Sequence, residues 1–131
     1  MAKRQESLHK SKTLELAKTV LPRFMIMPHE DVRSNGYPDW SVAAYGRDSW
    51  WEWKHGTPHF DSYGFQELTM KRLSTASYHA RYIILLEDED GSNRRSLIVH
   101  PDKFSTLEPE AETVGFNYHW ILEQIRRVHQ L

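Results

Sequence analysis

The sequence predicts one α/β (α+β) domain with helices flanking a mixed central sheet, and three features carry that prediction. Helical apolar spacing marks both ends of the chain, short β-prone runs lie between them, and a second helical stretch interrupts those runs. At 131 residues the chain is the size of one domain, 1–131, with no internal repeat or low-complexity stretch. Five Trp and six Tyr supply enough apolar surface for a core without disulfide or metal staples.

Residues 5–21 contain neither Gly nor Pro, stop at Pro22, and repeat Leu14, Ala17, Val20 and Leu21 at helical intervals. The apolar run 24–27, closed by Pro28, predicts a strand, and the polar stretch 29–36 a loop ending in Ser34-Asn35-Gly36. Residues 39–45 and 49–55 are β-prone and flank Gly46-Arg47-Asp48, which reads as the turn of a hairpin. A loop at 56–64 leads to a helix at 65–76 on Leu68, Met70 and Leu73. Strands follow at 81–86 and 96–99 around a turn holding Gly91. Phe116, Trp120, Ile121, Ile125 and Val128 make 115–129 an amphipathic helix that should cover one sheet face. The predicted order is α-β-β-β-α-β-β-α.

Net charge of -1 and a pI near 6.7 give no global field toward nucleic acid. Charge is nevertheless segregated: Lys3, Arg4, Lys10, Lys12 and Lys18 make the first segment basic, as Arg126 and Arg127 do the last helix, while 87–90 and 108–112 are acidic. The absence of Cys excludes disulfides and thiolate zinc sites and fits a reducing compartment. Apolar runs such as 82–86 are too short to span a bilayer, and the basic, polar N-terminus has no apolar signal core. The expectation is a soluble, cytoplasmic protein with no membrane partner.

Gly36-Tyr37-Pro38-Asp39 places an acid where one strand starts, and Glu52-Trp53-Lys54 places an acid and an amine on the next. Residues two apart on a strand share a face, so Glu52 and Lys54 project together and Trp53 projects oppositely. If these strands form a hairpin, positions 39 and 52 come nearly opposite, and two carboxylates can share a hard cation such as Mg²⁺. Lys54 could then hold or deprotonate a water, or offset charge building on a phosphate.

These motifs resemble the PD-(D/E)xK nucleases, in particular the VRR-NUC branch of virus-type replication and repair nucleases, which includes Holliday junction resolvase-like enzymes. The family pattern is a helix bearing an acid, a Gly-x-Pro-Asp turn, a Glu-x-Lys strand and a Gln opening the next helix. Here the last three fall on Gly36 to Asp39, Glu52 to Lys54 and Gln66, and the resemblance covers about residues 5–87. It implies a restriction-endonuclease-like αβββαβ core with a C-terminal strand and helix added. It also implies Mg²⁺- or Mn²⁺-dependent cleavage of branched or structured DNA in a bacterial, archaeal or phage-infected cell. Asp39, Glu52, Lys54 and Gln66 would be catalytic, with Asp39 and Glu52 as metal ligands.

Two acids compete for the helix position. Glu6 projects onto the side carrying Leu14, Ala17 and Leu21, whereas Glu15 projects nearly opposite, so Glu6 is the expected third ligand. Gln66 could bond a phosphate or water, Tyr37 and Trp40 could stack on a splayed base, and His55 or His59 could contact phosphate. Eight His suggest zinc, but no Cys is present to complete a common structural site. Trp51 and Trp53 should pack against a helix. The acidic run 87–90 would repel DNA and should lie away from the site. A homodimer would relieve the shortage of basic contacts. The competing expectation is a catalytically inactive nuclease-fold module that binds DNA or protein in a phage or mobile element.

Overall fold

The computed structural model describes residues 2–29, 38–58, 64–76 and 79–130, with the side chains of 2–4 and 64–66 outside that description. Helix α1 (Ala2–Val20) leads through Pro22 into β1 (Met25–Pro28). The hairpin β2 (Trp40–Ala44) and β3 (Arg47–Gly56) precedes α2 (Gly64–Thr75) and β4 (His79–Leu86). Then come β5 (Arg95–Val99), a 3-10 segment (Pro101–Thr106), β6 (Ala111–Val114) and α3 (Tyr118–His129). The strands form one sheet in the order β1-β2-β3-β4-β5-β6. Only β3 and β4, joined through α2, run parallel; every other neighbouring pair is antiparallel. The mixed sheet with helices therefore agrees with the predicted class.

Alternation along the strands separates two apolar layers. Trp51 and Trp53 of β3, Ile83 and Leu85 of β4 and Trp40 of β2 pack with Ala17 and Leu21 at the end of α1 and with Ile121, Leu122 and Ile125 of α3. The other parity, Tyr82, Ile84 and Leu86, packs with Met70 of α2 and Phe104 of the 3-10 segment. Both faces of β4 are covered, which explains its unbroken apolar run where an edge strand would alternate. The paired Trp positions of β3 face α1 and α3 as expected, leaving Glu52 and Lys54 on the α2 side.

The hairpin turn is Tyr45-Gly46, not Gly46-Arg47-Asp48, because Ala44 pairs with Arg47 and both intervening residues have positive φ (54° and 76°). That is the two-residue geometry whose twist matches the strands it joins. The shift lengthens β3 toward its start and leaves positions 40 and 51 opposite each other. Strand β6 was not predicted: Ala-Glu-Thr-Val is four residues long, has no fully buried residue, and overlaps the end of the run 108–112 read as acidic.

A chain of buried polar groups locks α3 to this hairpin. His129 Nδ1 lies 3.1 Å from the Ala44 carbonyl, its Nε2 lies 2.8 Å from the Ser49 hydroxyl, and the Trp51 indole donates to Ser49 at 2.7 Å. Asn117 caps the other end of α3 by accepting from the Trp120 amide. Gly46→Ala forces a Cβ into the left-handed region and is expected to lower stability by about 1–2 kcal/mol. Urea unfolding of the two proteins measures it.

Candidate functional site

Asp39 immediately precedes β2, and Glu52 lies on β3 one step beyond the last paired residues, Trp40 and Trp51. Where the regular ladder stops, side chains continue it. The Asp39 amide donates to Glu52 Oε1 at 3.1 Å, and Asp39 Oδ2 accepts from the Trp53 amide at 2.8 Å. The second oxygen of each carboxylate faces an ammonium: Asp39 Oδ1 lies 3.2 Å from Lys10 Nζ, and Glu52 Oε2 lies 3.3 Å from Lys54 Nζ. Asp39, Glu52 and Lys54 thus meet, as the motif spacing predicted.

Glu52 is 2% exposed, and burial, followed by the neighbouring charge of Asp39, pushes its carboxyl up to about 8, against the opposing pull of Lys54. Beside Glu52 in the β3–β4 register lies Tyr82, whose hydroxyl is buried without a hydrogen-bond partner among the described residues. Burial and the nearby Glu52 make that phenol harder to ionise. A divalent cation at Asp39 and Glu52 would offset the repulsion between the carboxylates, and two carboxylates with waters suit Mg²⁺ or Mn²⁺. Asp39 and Glu52 are the two residues here that could hold such an ion.

Other expected site residues are placed differently. Trp40 is 1% exposed and meets Trp53 edge-on at 5.0 Å, so it is core and cannot stack on a base. His55 has the opposite parity to Lys54 and turns to the α1–α3 face, against His9 (ring centroids 5.1 Å), Phe116 and Glu87. It therefore contacts neither carboxylate's side of the sheet. Glu6 does not complete a metal triad: among the described residues no three His, Asp or Glu side chains are grouped to hold an ion. Asp39 instead meets α1 at Lys10, one turn beyond Glu6. Glu15 is exposed and paired with Lys18. Tyr37, Gly36 and His59 lie outside the described residues, as does the side chain of Gln66, whose backbone is in the first turn of α2.

The acidic run begins at the end of β4, where the Glu87 amide bonds Gly56 and its carboxylate lies 3.8 Å from His55, on the face opposite Glu52 and Lys54. Arg94, 3.2 Å from Glu87, moderates that charge. Two neighbours went unnoticed in the sequence. Lys10 carried no sign of its contact beyond its place in the basic first segment. His29, which bonds Ser41 at 2.8 Å and stacks on Trp50, carried no signal beyond its place after Pro28.

Compared with known proteins, the chain matches no family model and no curated relative. No helix among the described residues is long and apolar enough to cross a membrane.

The pH dependence of stability follows from the buried groups. Glu52 holds its proton more tightly folded than unfolded, so the folded state loses stability as pH rises from its ordinary value of 4.5 toward 8. Burial lowers His9 and His79 to about 4, so their contribution is lost as pH falls from 6.5 toward 4. Above pH 6.5 only the Glu52 effect of these remains. Melting temperature should therefore fall between pH 6.5 and 8, and Glu52→Gln should flatten that limb in a thermal-unfolding series.

Proposed function

We propose that the protein is a Mg²⁺- or Mn²⁺-dependent DNA endonuclease of the PD-(D/E)xK, VRR-NUC-like type, hydrolysing phosphodiester bonds in branched or structured DNA during replication, recombination or repair. The observation carrying this reading is the meeting of Asp39 and Glu52 across β2 and β3, with Lys54 paired to Glu52 on the same face. The order of α1, three antiparallel strands, α2 and a strand parallel to β3 supports a restriction-endonuclease-like αβββαβ core, with β5, β6 and α3 as additions.

Asp39 and Glu52 would hold the ion, which when bound polarises the phosphoryl oxygen, lowers the pKa of a water and stabilises the leaving oxygen. Backbone bonds at Oδ2 and Oε1 fix both carboxylates before any ligand arrives, so little ordering remains for binding to impose. Glu52 must lose its proton to act as a ligand. Lys54, two residues along the strand, is placed to hold the attacking water or to balance charge on the phosphate. Modest basic content favours a homodimer or a branched substrate contacted at several phosphates, in the cytoplasm of a bacterial, archaeal or phage-infected cell.

A second reading is favoured by one observation: both carboxylates are already paired with lysines and Glu52 is almost fully covered. A closed ion network of this kind suits a catalytically inactive nuclease-fold module that binds DNA or protein. The two readings separate on linear, flapped, single-stranded and four-way DNA with MgCl2 or MnCl2. Asp39→Asn and Glu52→Gln, which keep the backbone acceptors, and Lys54→Ala should each reduce cutting at least about 100-fold with native circular dichroism. Wild-type protein that leaves every substrate intact under both metals would establish the module instead.

Titration calorimetry in buffers of differing ionisation heat adds an independent check. Binding of Mn²⁺ at pH 7 should release protons, because burial and Asp39 raise the affinity of Glu52 for its proton and a bound cation opposes it. A binding heat independent of buffer would place the metal elsewhere.

A further inference from the structure

We propose that Lys10 is a resident cation of the site: it holds Asp39 while no divalent ion is bound, and is released to a phosphate of the nucleic acid when one is. This inference rests on the nuclease reading and adds a positioning residue to it. The division of labour among the carboxylate oxygens carries it. Oδ2 of Asp39 and Oε1 of Glu52 are engaged by backbone amides that tie β2 to β3. Oδ1 and Oε2 are the oxygens left for a ligand, and they are the ones approached by Lys10 and Lys54. Lys54 belongs to β3 and stays beside Glu52, whereas Lys10 comes from a different element, across a sequence distance of 29 residues.

A metal and the Lys10 ammonium compete for Oδ1, both electrostatically and for the same lone pairs. The side chains of Lys10 and Asp39 are each 19% exposed, so the pair is in contact with solvent. Lysine suits this role because its charge is compact and its four-carbon stem flexible, while the planar fork of arginine binds carboxylates in fixed geometry. Anchoring of α1 does not need this pair. Ala17 and Leu21 bury its far end, and His9, itself buried, bonds Tyr118 at 2.6 Å. The arrangement couples the two ligands: a bound ion frees an ammonium for phosphate, and a bound phosphate draws the ammonium off Asp39 and opens the metal site.

The test compares wild-type protein with Lys10→Met, Lys10→Gln and Lys10→Arg. Calorimetry with MnCl2 alone should show about 10-fold tighter binding in Lys10→Met and Lys10→Gln, since a competing charge within about 4 Å is gone. General damage to the fold would weaken binding, so a gain separates the proposed role from a structural one. Affinity for a fluorescent four-way junction in CaCl2 should fall about 5- to 10-fold in the same variants, with Lys10→Arg nearer to wild type. If wild type binds Mn²⁺ through Asp39 but Lys10→Met binds it no tighter, Lys10 is a plain ion pair and the nuclease reading survives. If wild type binds no Mn²⁺ with or without DNA, both readings fall together.

Discussion

The reciprocal clasp between Asp39 and Glu52 is the constraint on which the rest of the site depends. Each carboxylate accepts from a main-chain amide on the other side of the strand pair. A buried amide left without an acceptor costs about 1–3 kcal/mol, so these side chains finish the sheet where the ladder ends. They also force two like charges together in a setting where Glu52 has almost no contact with water. The sheet gains continuity, and the site acquires a local excess of negative charge that only a cation or a proton can relieve. Lys10, Lys54 and the raised affinity of Glu52 for its proton are three partial answers to that one electrostatic demand.

Strand parity places this demand where chemistry is possible. The indoles at 51 and 53 are committed to the layer under α1 and α3, which obliges Glu52 and Lys54 to the opposite layer. A one-residue slip of β3 would bury the charges under two helices and turn the tryptophans to the α2 side, so the register is strongly determined by the core. The tight Tyr45-Gly46 turn sets the same register from the other end of the hairpin. Turn geometry, indole packing and the carboxylate clasp therefore agree on one alignment, each for its own physical reason.

Most elements were legible in the sequence because local signals and tertiary demands coincided. Pro22 and Pro28 end α1 and β1, and the apolar spacing of α3 matches the face it buries. The hairpin itself was legible, but the alignment of 39 with 52 comes from the two-residue Tyr45-Gly46 turn, since a turn at 46–48 would set 39 opposite 55. What stayed hidden depended on long-range packing. Trp40, beside a turn, was open to a stacking role on a base, but it pairs with Trp51 in the β2–β3 ladder and packs in the core. His55 shared a motif with Lys54 in sequence yet not a face in space. Lys10 and Asp39 are brought together only when α1 packs across the sheet, a contact that no local pattern encodes.

The two functional readings differ in what the same four charged groups are for. As a closed network, Lys10-Asp39 and Glu52-Lys54 would be a costly way to hold strands together, since removing charges from water gives up hydration that pairing only partly returns. Apolar residues of similar size would stabilise the hairpin end as well or better, and the backbone acceptors could be supplied by Asn and Gln without any charge. A buried carboxylate set beside a second one, its hold on the proton strengthened by burial and then by that neighbour, is hard to explain as scaffolding. The proposed nuclease would give it a use, as a site for a cation whose charge two lysines balance in the meantime.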